Sequence, residues 1–515
     1  MSAMIEPLEQ RQEADVLAGL RRFATPDWLA AVIKTERVRA ALCRHVPEFA
    51  SEQLTLRDCE VKRLRLRDKS GYWTGTYLLT VEGLQPGQSQ IVPVRGKLFP
   101  PGLTGGDHPT APHGQNGLAS GVPRPFGADG WRCYLPELRL ELEMQPPDTE
   151  LPSLPILTDP EQSRVLLERG IRAGAPAYAD FRLRACTPKV MRYKPGSRCT
   201  VLYRLEYPPE ATGRNWPEIV VAKTYQSDKS DNKGQNAYHA MRVLWDSRLG
   251  RSSAVTIAEP LAYLPELNIL LQGPIREETT FKEFIRSALR SGTPEAIAEL
   301  RDYTCKIAVG LAELHQCGVR YGETVTWEDE FEEVRQRYAR LTIPIPQLAG
   351  VATALLDRLG ALADEHPADP LMPAHRSFRP AQVLLYKGRI GFIDFDGFCQ
   401  AEPAMDLALF MAKIKQIGLS KVDLDEDEED DEDLDEETRL TRLAHMEAMC
   451  EILLSTYEAH MPISRQRVML WETLDLFALV VGCWTKIKLT RLQDSMLLLE
   501  RHLRANGLDV IHDHL

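Results

Sequence analysis

The sequence predicts an α+β protein in which two clusters of antiparallel strands precede a long, mainly helical region. Three observations predict it. Strand-like runs separated by turn-rich "KSG" and "LQPGQSQ" fall between 59 and 99: "CEVKRLRLRD", "GTYLLTVEG" and "QIVPVRGKLF". A second set starts at Lys189 with "KVMRYKPGSRCTVLYRLEY", followed by "PEIVVAKTY". From about residue 276 the apolar residues recur at helical rather than alternating spacing.

In chain order, residues 1 to about 50 read as helices. Trp28, Leu29, Val32 and Ile33 lie at helical spacing, and "ATPDW" provides a start signal. The first strand cluster ends in a stretch dense in Gly and Pro, Pro100 to Gly130, which is expected to be a long mobile loop. A Pro-rich connector then leads to a helix at about 160–172. The second cluster repeats the order strand, tight turn, strand, loop, lysine-bearing strand, with Lys223 where the first has Lys97. This is a weak internal echo, and an unrelated antiparallel sheet is the alternative. In the helical region "KIAVGLAELHQCGV" places Ile307, Leu311 and Leu314 on one face and is expected to stop at Gly318. Met446, Met449, Cys450, Leu453 and Tyr457 mark a further core helix. The expected units are an N-terminal α+β region at 1–150, a connector and helix at 151–179, a strand-rich unit at 180–275 and a helical unit at 276–515.

The chain of 515 residues is long enough for two to four domains. Its formal charge of −12 is concentrated, because Asp423 to Glu437, "DLDEDEEDDEDLDEE", holds 13 carboxylates and the remainder is close to neutral. That run is expected to be a solvated, disordered loop, with cation binding or docking to a basic partner as alternatives. Net charge indicates neither a nucleic-acid footprint nor a membrane-binding surface. No run approaches the roughly 18 apolar residues of a membrane span, and "LFALVVGCW", Leu476 to Trp484, reads as a buried helix segment. The N-terminus carries early acids and no basic-then-apolar leader, so a cytoplasmic protein is expected. Ten scattered cysteines without a C-x-x-C pair argue against a zinc site or a disulfide framework.

Phosphoryl transfer needs charge neutralised around phosphates, metal held in place and an oriented acceptor hydroxyl. Four stations in the sequence fit those needs in order. "KPGSR", Lys194 to Arg198, is a turn whose Gly196 and Ser197 backbone N–H groups would cradle a phosphate. Lys223 in "EIVVAKTY" is a cation on an apolar strand, in the style of a kinase strand lysine. "NILLQGPI" is a strand breaking at Gly273, where Gln272 and Gly273 would offer backbone groups to an adenine. The fourth is "HRSFRPAQVLLYKGRIGFIDFDG", His375 to Gly397.

In this last stretch His375-x-Ser377-x4-Gln382, then Asp394 in "IDFDG" and Asp406 in "EPAMDLALF", closely resemble the aminoglycoside phosphotransferase and maltokinase-like branch of the protein-kinase-like superfamily. The family motif runs H-G-D-x-x-x-x-N/Q-V-L, then I-D-F/W, then P-x-x-D-L-A. The resemblance covers roughly residues 185 to 500. It implies a two-lobed protein-kinase-like fold, with a small antiparallel sheet in the first lobe and a mainly helical second lobe, behind the additional N-terminal region. It also implies ATP and Mg²⁺ as cofactors, Asp394 and Gln382 as metal ligands, Lys223 on the α and β phosphates, and Asp406 as a structural acid. The activity implied is phosphorylation of a hydroxyl on a small molecule, such as a sugar or an aminoglycoside-like compound.

Two departures bear on that activity. The family's catalytic Asp falls at Ser377, whose hydroxyl is not ionised near neutrality and cannot act as a carboxylate base. No glutamate occurs between Glu218 and Glu259 to pair with Lys223, leaving Asp228, Asp231 and Asp246. Arg379 adds a positive charge nearby, and Asp396 is an alternative base. A second reading is therefore a pseudokinase, a nucleotide- or ligand-binding module with a protein partner at the N-terminal region or the acidic run.

Overall fold

In the computed structural model, which describes residues 14–67, 71–85, 88–102, 124–145, 148, 150–174, 176–211, 213–226, 233–420 and 435–511, the short strand Ala14–Asp15 is followed by short helices. Pro26 precedes Asp27, which starts the helix Asp27–Ala31 with an acid in its first turn, favourable at the positive end of the helix dipole. Thr35–His45 follows, burying Val38, Ala41 and Leu42. These helices back a five-stranded antiparallel sheet made of Thr55–Leu66, Trp73–Gln85, Gln88–Leu98, Leu140–Met144 and Arg132–Leu135, in that spatial order. Strand alternation sends Trp73, Tyr77, Leu79, Val81, Val94 and Leu98 into the core.

Residues 103–123 of the expected mobile loop lie outside the described residues. Its C-terminal flank is a correction: Phe126 is buried between Phe49 and Trp131, with ring centroids 4.8 and 4.9 Å away. Its backbone N–H donates to Glu48 Oε1 at 3.0 Å. One aromatic ring with an apolar slot outweighs the turn-forming composition around it.

The second sheet is built from Ala185–Lys194, Arg198–Glu206, Ile219–Tyr225, Ile269–Gln272 and Pro260–Leu264, again in spatial order. Taken in sequence, both sheets run first, second, third, fifth, fourth, with every neighbouring pair antiparallel. The echo seen in the sequence is thus one of topology as well. The two lysines differ in their partners. Lys97 lies 3.9 Å from Glu141 and 3.6 Å from Glu143 within its own sheet, whereas the acids facing Lys223 come from another lobe. The helix Pro160–Gly174 packs on the second sheet, and a Cβ on Gly174 would fall 2.3 Å from the Leu261 carbonyl oxygen, so this contact requires glycine.

The helical lobe comprises Phe281–Ser291, Pro294–His315, Trp327–Thr342, Thr353–Glu365, Pro403–Leu419, Glu436–Glu458, Arg465–Thr485 and Leu492–Ala505. Ile307, Leu311 and Leu314 are buried, and their helix ends at His315, three residues before the left-handed Gly318. Residues 423–434 of the acidic run lie outside the described residues. The expected loop is corrected at its end, where Asp435 caps a helix by accepting the Thr438 N–H at 2.8 Å, and Glu436 and Glu437 form its first turn. Arg465–Thr485 has the length and composition to cross a membrane, but two thirds of its most apolar window is buried inside the lobe.

Two hydrophobic cores result. The strand-rich unit has its own, from Leu151 to Leu271, while the N-terminal region shares one continuous core with the helical lobe. Trp73 Nε1 donates to the Trp484 carbonyl at 3.1 Å, and Phe23 meets Trp484 edge-on at 5.3 Å.

Candidate active site

Lys223 sits on the third strand of the second sheet, between Thr200 and Leu270. Alternation along the neighbouring strand places Arg198 and Thr200 on one face, so Arg198 emerges beside Lys223. Across the cleft the hairpin Val383–Tyr386 and Arg389–Phe392 ends in Asp394, which adopts φ 76° and turns the chain into the short helix Phe395–Gly397. Left-handed backbone costs a non-glycine residue about 1–2 kcal/mol, and Asp is among the residues that adopt it most readily.

The two faces meet through charge. Lys223 Nζ donates to Asp394 Oδ1 at 2.6 Å and to Asp396 Oδ1 at 3.0 Å. Arg198 Nη1 lies 3.1 Å from Asp396 Oδ2 and 3.7 Å from Asp394 Oδ1. Gln382 Nε2 donates to Asp394 Oδ2 at 3.1 Å. Burial works against the charge on Asp394, but Lys223 and Arg198 outweigh it and hold the carboxyl well below the usual carboxylate range. Burial also opposes the charge on Lys223, and Asp396 with Asp394 more than offset it, so its pKa is raised. The missing glutamate is thereby explained. Among the described residues of the helix Lys233–Asp246, Asp246 pairs with Arg242, and the lysine is held by the opposite lobe instead.

His375 is fully buried. Its Nε2–H donates to the Ile393 carbonyl at 3.0 Å, and its backbone N–H to Asp406 Oδ2 at 2.6 Å. Burial lowers its pKa against the opposing pull of Asp406, which leaves Nδ1 as an acceptor. Ser377 Oγ lies 3.4 Å from that nitrogen and accepts from Gln382 Nε2 at 3.3 Å. Asp406 is itself fully buried, with His315 Nε2 at 3.2 Å and Tyr457 behind His315 at 2.6 Å. Arg376, at the family motif's glycine position, has φ 62° and is held by Glu330 and Glu323.

Two expectations are corrected. The Gly196 N–H is taken by Asp148 Oδ2 at 2.8 Å, and the Ser197 N–H closes the turn onto the Lys194 carbonyl at 3.0 Å, so neither is free to cradle a phosphate. The Gly273 N–H donates to the Glu259 carbonyl at 2.7 Å, so that donor is not free for an adenine, and the Gln272 side chain is buried. The cation that the turn presents to the cleft is Arg198, which sequence reasoning quoted but left without a role. Its spacing of two from Thr200, opposite Lys223, was the available signal. Asp396, considered only as a base, has one oxygen on Lys223 and the other on Arg198.

Asp394, Asp396 and Gln382 form an oxygen donor set of the kind Mg²⁺ takes. Among the described residues Gln382 Oε1 is buried without a hydrogen-bond partner, which leaves its lone pairs open to a cation. The residues therefore fit a divalent ion.

A small sheet facing a helical lobe, with a lysine of one opposite paired acids of the other, is the arrangement expected of a protein-kinase-like fold. Residues 220–454 match the phosphotransferase enzyme family, and the resemblance drawn from the His375–Gly397 stretch holds over that segment. Solved structures that overlay on the chain include a choline kinase from Streptococcus pneumoniae, 15% identical, covering 66% of this chain and 99% of that one with a TM-score of 0.39. A choline kinase from Cryptosporidium parvum Iowa II is 12% identical, with coverages of 68% and 97% and a TM-score of 0.44. A thermostable mutant of an aminoglycoside phosphotransferase in its apo form is 14% identical, with coverages of 62% and 96% and a TM-score of 0.40. No curated protein matches the chain.

Proposed function

We propose that the cleft between the two lobes binds a nucleoside triphosphate, ATP in the first instance, and that the protein passes its terminal phosphoryl group to a hydroxyl of a small molecule. The observation that carries this is the convergence of Lys223, Arg198, Asp394, Asp396 and Gln382 from both lobes, all but Arg198 lying inside the segment that matches the phosphotransferase enzyme family. Lys223 and Arg198 would hold the phosphate chain. Asp394, Asp396 and Gln382 Oε1 would hold Mg²⁺, which when bound neutralises charge on the transferring phosphoryl group. The Asp406 carboxylate positions the His375–Gln382 loop through the His375 backbone. Phosphoryl transfer rests mainly on positioning and charge neutralisation, so loss of a base removes only part of the rate enhancement. The absence of a carboxylate at 377 slows transfer by about 10²- to 10⁴-fold rather than forbidding it.

Ser377 favours a second reading, a nucleotide-binding module without turnover, because its hydroxyl is engaged with His375 and Gln382 rather than aimed as a base. A protein partner at the N-terminal region belongs to that reading. Thermal-shift titration with ATP and Mg²⁺, paired with ADP release over a panel of hydroxylated small molecules, separates the two. A saturable shift with acceptor-dependent ADP release supports transfer. A shift without release on any acceptor supports the binding module, and no shift at millimolar ATP overturns both.

A further inference from the structure

We propose that Arg198 is a resident counter-cation of the phosphate site, seated on Asp394 and Asp396, the carboxylates that would hold a divalent ion, so that nucleotide binds without metal and metal enters only by displacing the guanidinium. The inference rests on the nucleotide reading above for its ligand, and on the geometry of four side chains for the rest.

A single Arg198 nitrogen reaches two different carboxylates, Asp396 Oδ2 at 3.1 Å and Asp394 Oδ1 at 3.7 Å. Lys223 takes one oxygen of each carboxylate as well. Two cations thus face two carboxylates, and this cluster is neutral. Among the described residues in contact with the cluster no further carboxylate joins it: Ser377 contributes no charge, and Arg376 is answered by Glu330 and Glu323. With an Asp at 377 and no arginine at 198, three carboxylates would face one lysine, and a triphosphate could approach only with divalent cations to offset them. Ser377 brings no negative charge and Arg198 brings a positive one, so a triphosphate that draws Arg198 and Lys223 off the two carboxylates meets two cations before any metal arrives.

The same contacts make metal and guanidinium competitors. A Mg²⁺ ion needs oxygens at about 2.0–2.1 Å in near-octahedral order. Asp394 and Asp396 would have to give it oxygens that Arg198 Nη1 now contacts, and like charges competing for the same carboxylates repel. Arg198 stands at the start of its strand, next to the Lys194–Arg198 turn, and its side chain keeps 21% exposure, leaving it room to swing from the carboxylates onto a phosphate.

The test is a thermal-shift titration of the full chain with three probes: Mg²⁺ alone, ATP with a chelator, and ATP with Mg²⁺. Wild type is compared with Arg198→Ala. Arg198→Gln, which keeps a donor without the charge, is the second variant should the alanine not fold. Wild type is expected to ignore Mg²⁺ alone and to bind ATP in chelator within about tenfold of its affinity with Mg²⁺. The variant is expected to gain a Mg²⁺-dependent rise in Tm and to lose tenfold or more of its chelator-condition affinity, with a smaller loss when Mg²⁺ is present. A wild type that answers to ATP only with Mg²⁺, or a variant that loses both affinities by the same factor, overturns the proposal. No response to ATP in any protein overturns the nucleotide reading, and the metal-alone arm still decides Arg198: a rise in the variant absent from wild type keeps the counter-cation role, and no rise removes it.

Discussion

Ser377 Oγ stands 3.3 Å from Gln382 Nε2, which in turn bonds Asp394. A carboxylate at 377 would therefore enter a neutral cluster with a hydrogen-bond donor already in place. Ser377→Asp is expected to raise acceptor-dependent ADP release by about 10²-fold or more, the scale of a recovered general base. An unchanged rate, measured alongside an unchanged ATP affinity, would move the defect from residue 377 to the rest of the site. Asp394 tests a different function. Its removal leaves Lys223 with Asp396 alone and Gln382 with an unanswered donor. Asp394→Ala is expected to cost about 1–3 kcal/mol of stability, the scale of an unmatched buried polar group. It should also abolish the Mg²⁺-dependent part of ATP binding in a calorimetric titration. Equal affinity for Mg²⁺–ATP in the variant would take the metal assignment away from Asp394.

At the level of elements, helix ends carry information that composition hides. The acids of Asp423 to Glu437 look uniform in sequence, yet Asp435 accepts the Thr438 N–H and its neighbours occupy the positive end of a 23-residue helix. Asp435→Ala is expected to lower stability by about 1 kcal/mol in urea denaturation. Asp435→Asn, which keeps the cap, should lower it by less, and equal losses would deny the cap its role. The strands and helices themselves were largely legible, because alternation and 3.6-residue spacing are local properties. Leu311, Leu314, Met446 and Tyr457 are buried as their spacing requires. The turn at Gly196 was legible as a turn but not as an occupied one, since its partner Asp148 lies 48 residues away and no local pattern announces it. Arg198 was hidden for the same reason: its carboxylates are nearly 200 residues distant in sequence.

Across the whole molecule, the N-terminal region is bolted to the helical lobe through Trp73 and Trp484, while the strand-rich unit keeps a separate core. The sequence could not express that division, because it depends on which apolar faces meet after folding. Two buried histidines then tie global stability to pH. His375 is enclosed by the Ile393 carbonyl, Asp406, Asp394 and Ser377. His502 is enclosed by Thr473, the Met469 carbonyl, Glu472 and Lys415. Burial lowers both pKa values from the ordinary 6.5, with Asp406 and Glu472 opposing it in part. In the unfolded chain both rings take up protons as pH falls through about 6.5, while the native rings stay neutral to lower pH. The unfolded state therefore binds more protons in that window, and stability is full above it and declines below it until the native pKa values are reached. The decline should approach about 1.4 kcal/mol per pH unit for each histidine. Asp394 acts further down. Its native pKa lies well below its unfolded one, so its contribution is complete above about pH 4 and is lost only in stronger acid. Burial pushes the Asp475 carboxyl well up, so that group gains stability as pH falls and offsets part of this decline. Between about pH 7.5 and 5 the Tm of His502→Gln should therefore lose less, or gain more, on acidification than that of wild type. Parallel Tm curves for the two proteins would mean that the His502 ring does not contribute to the acid limb.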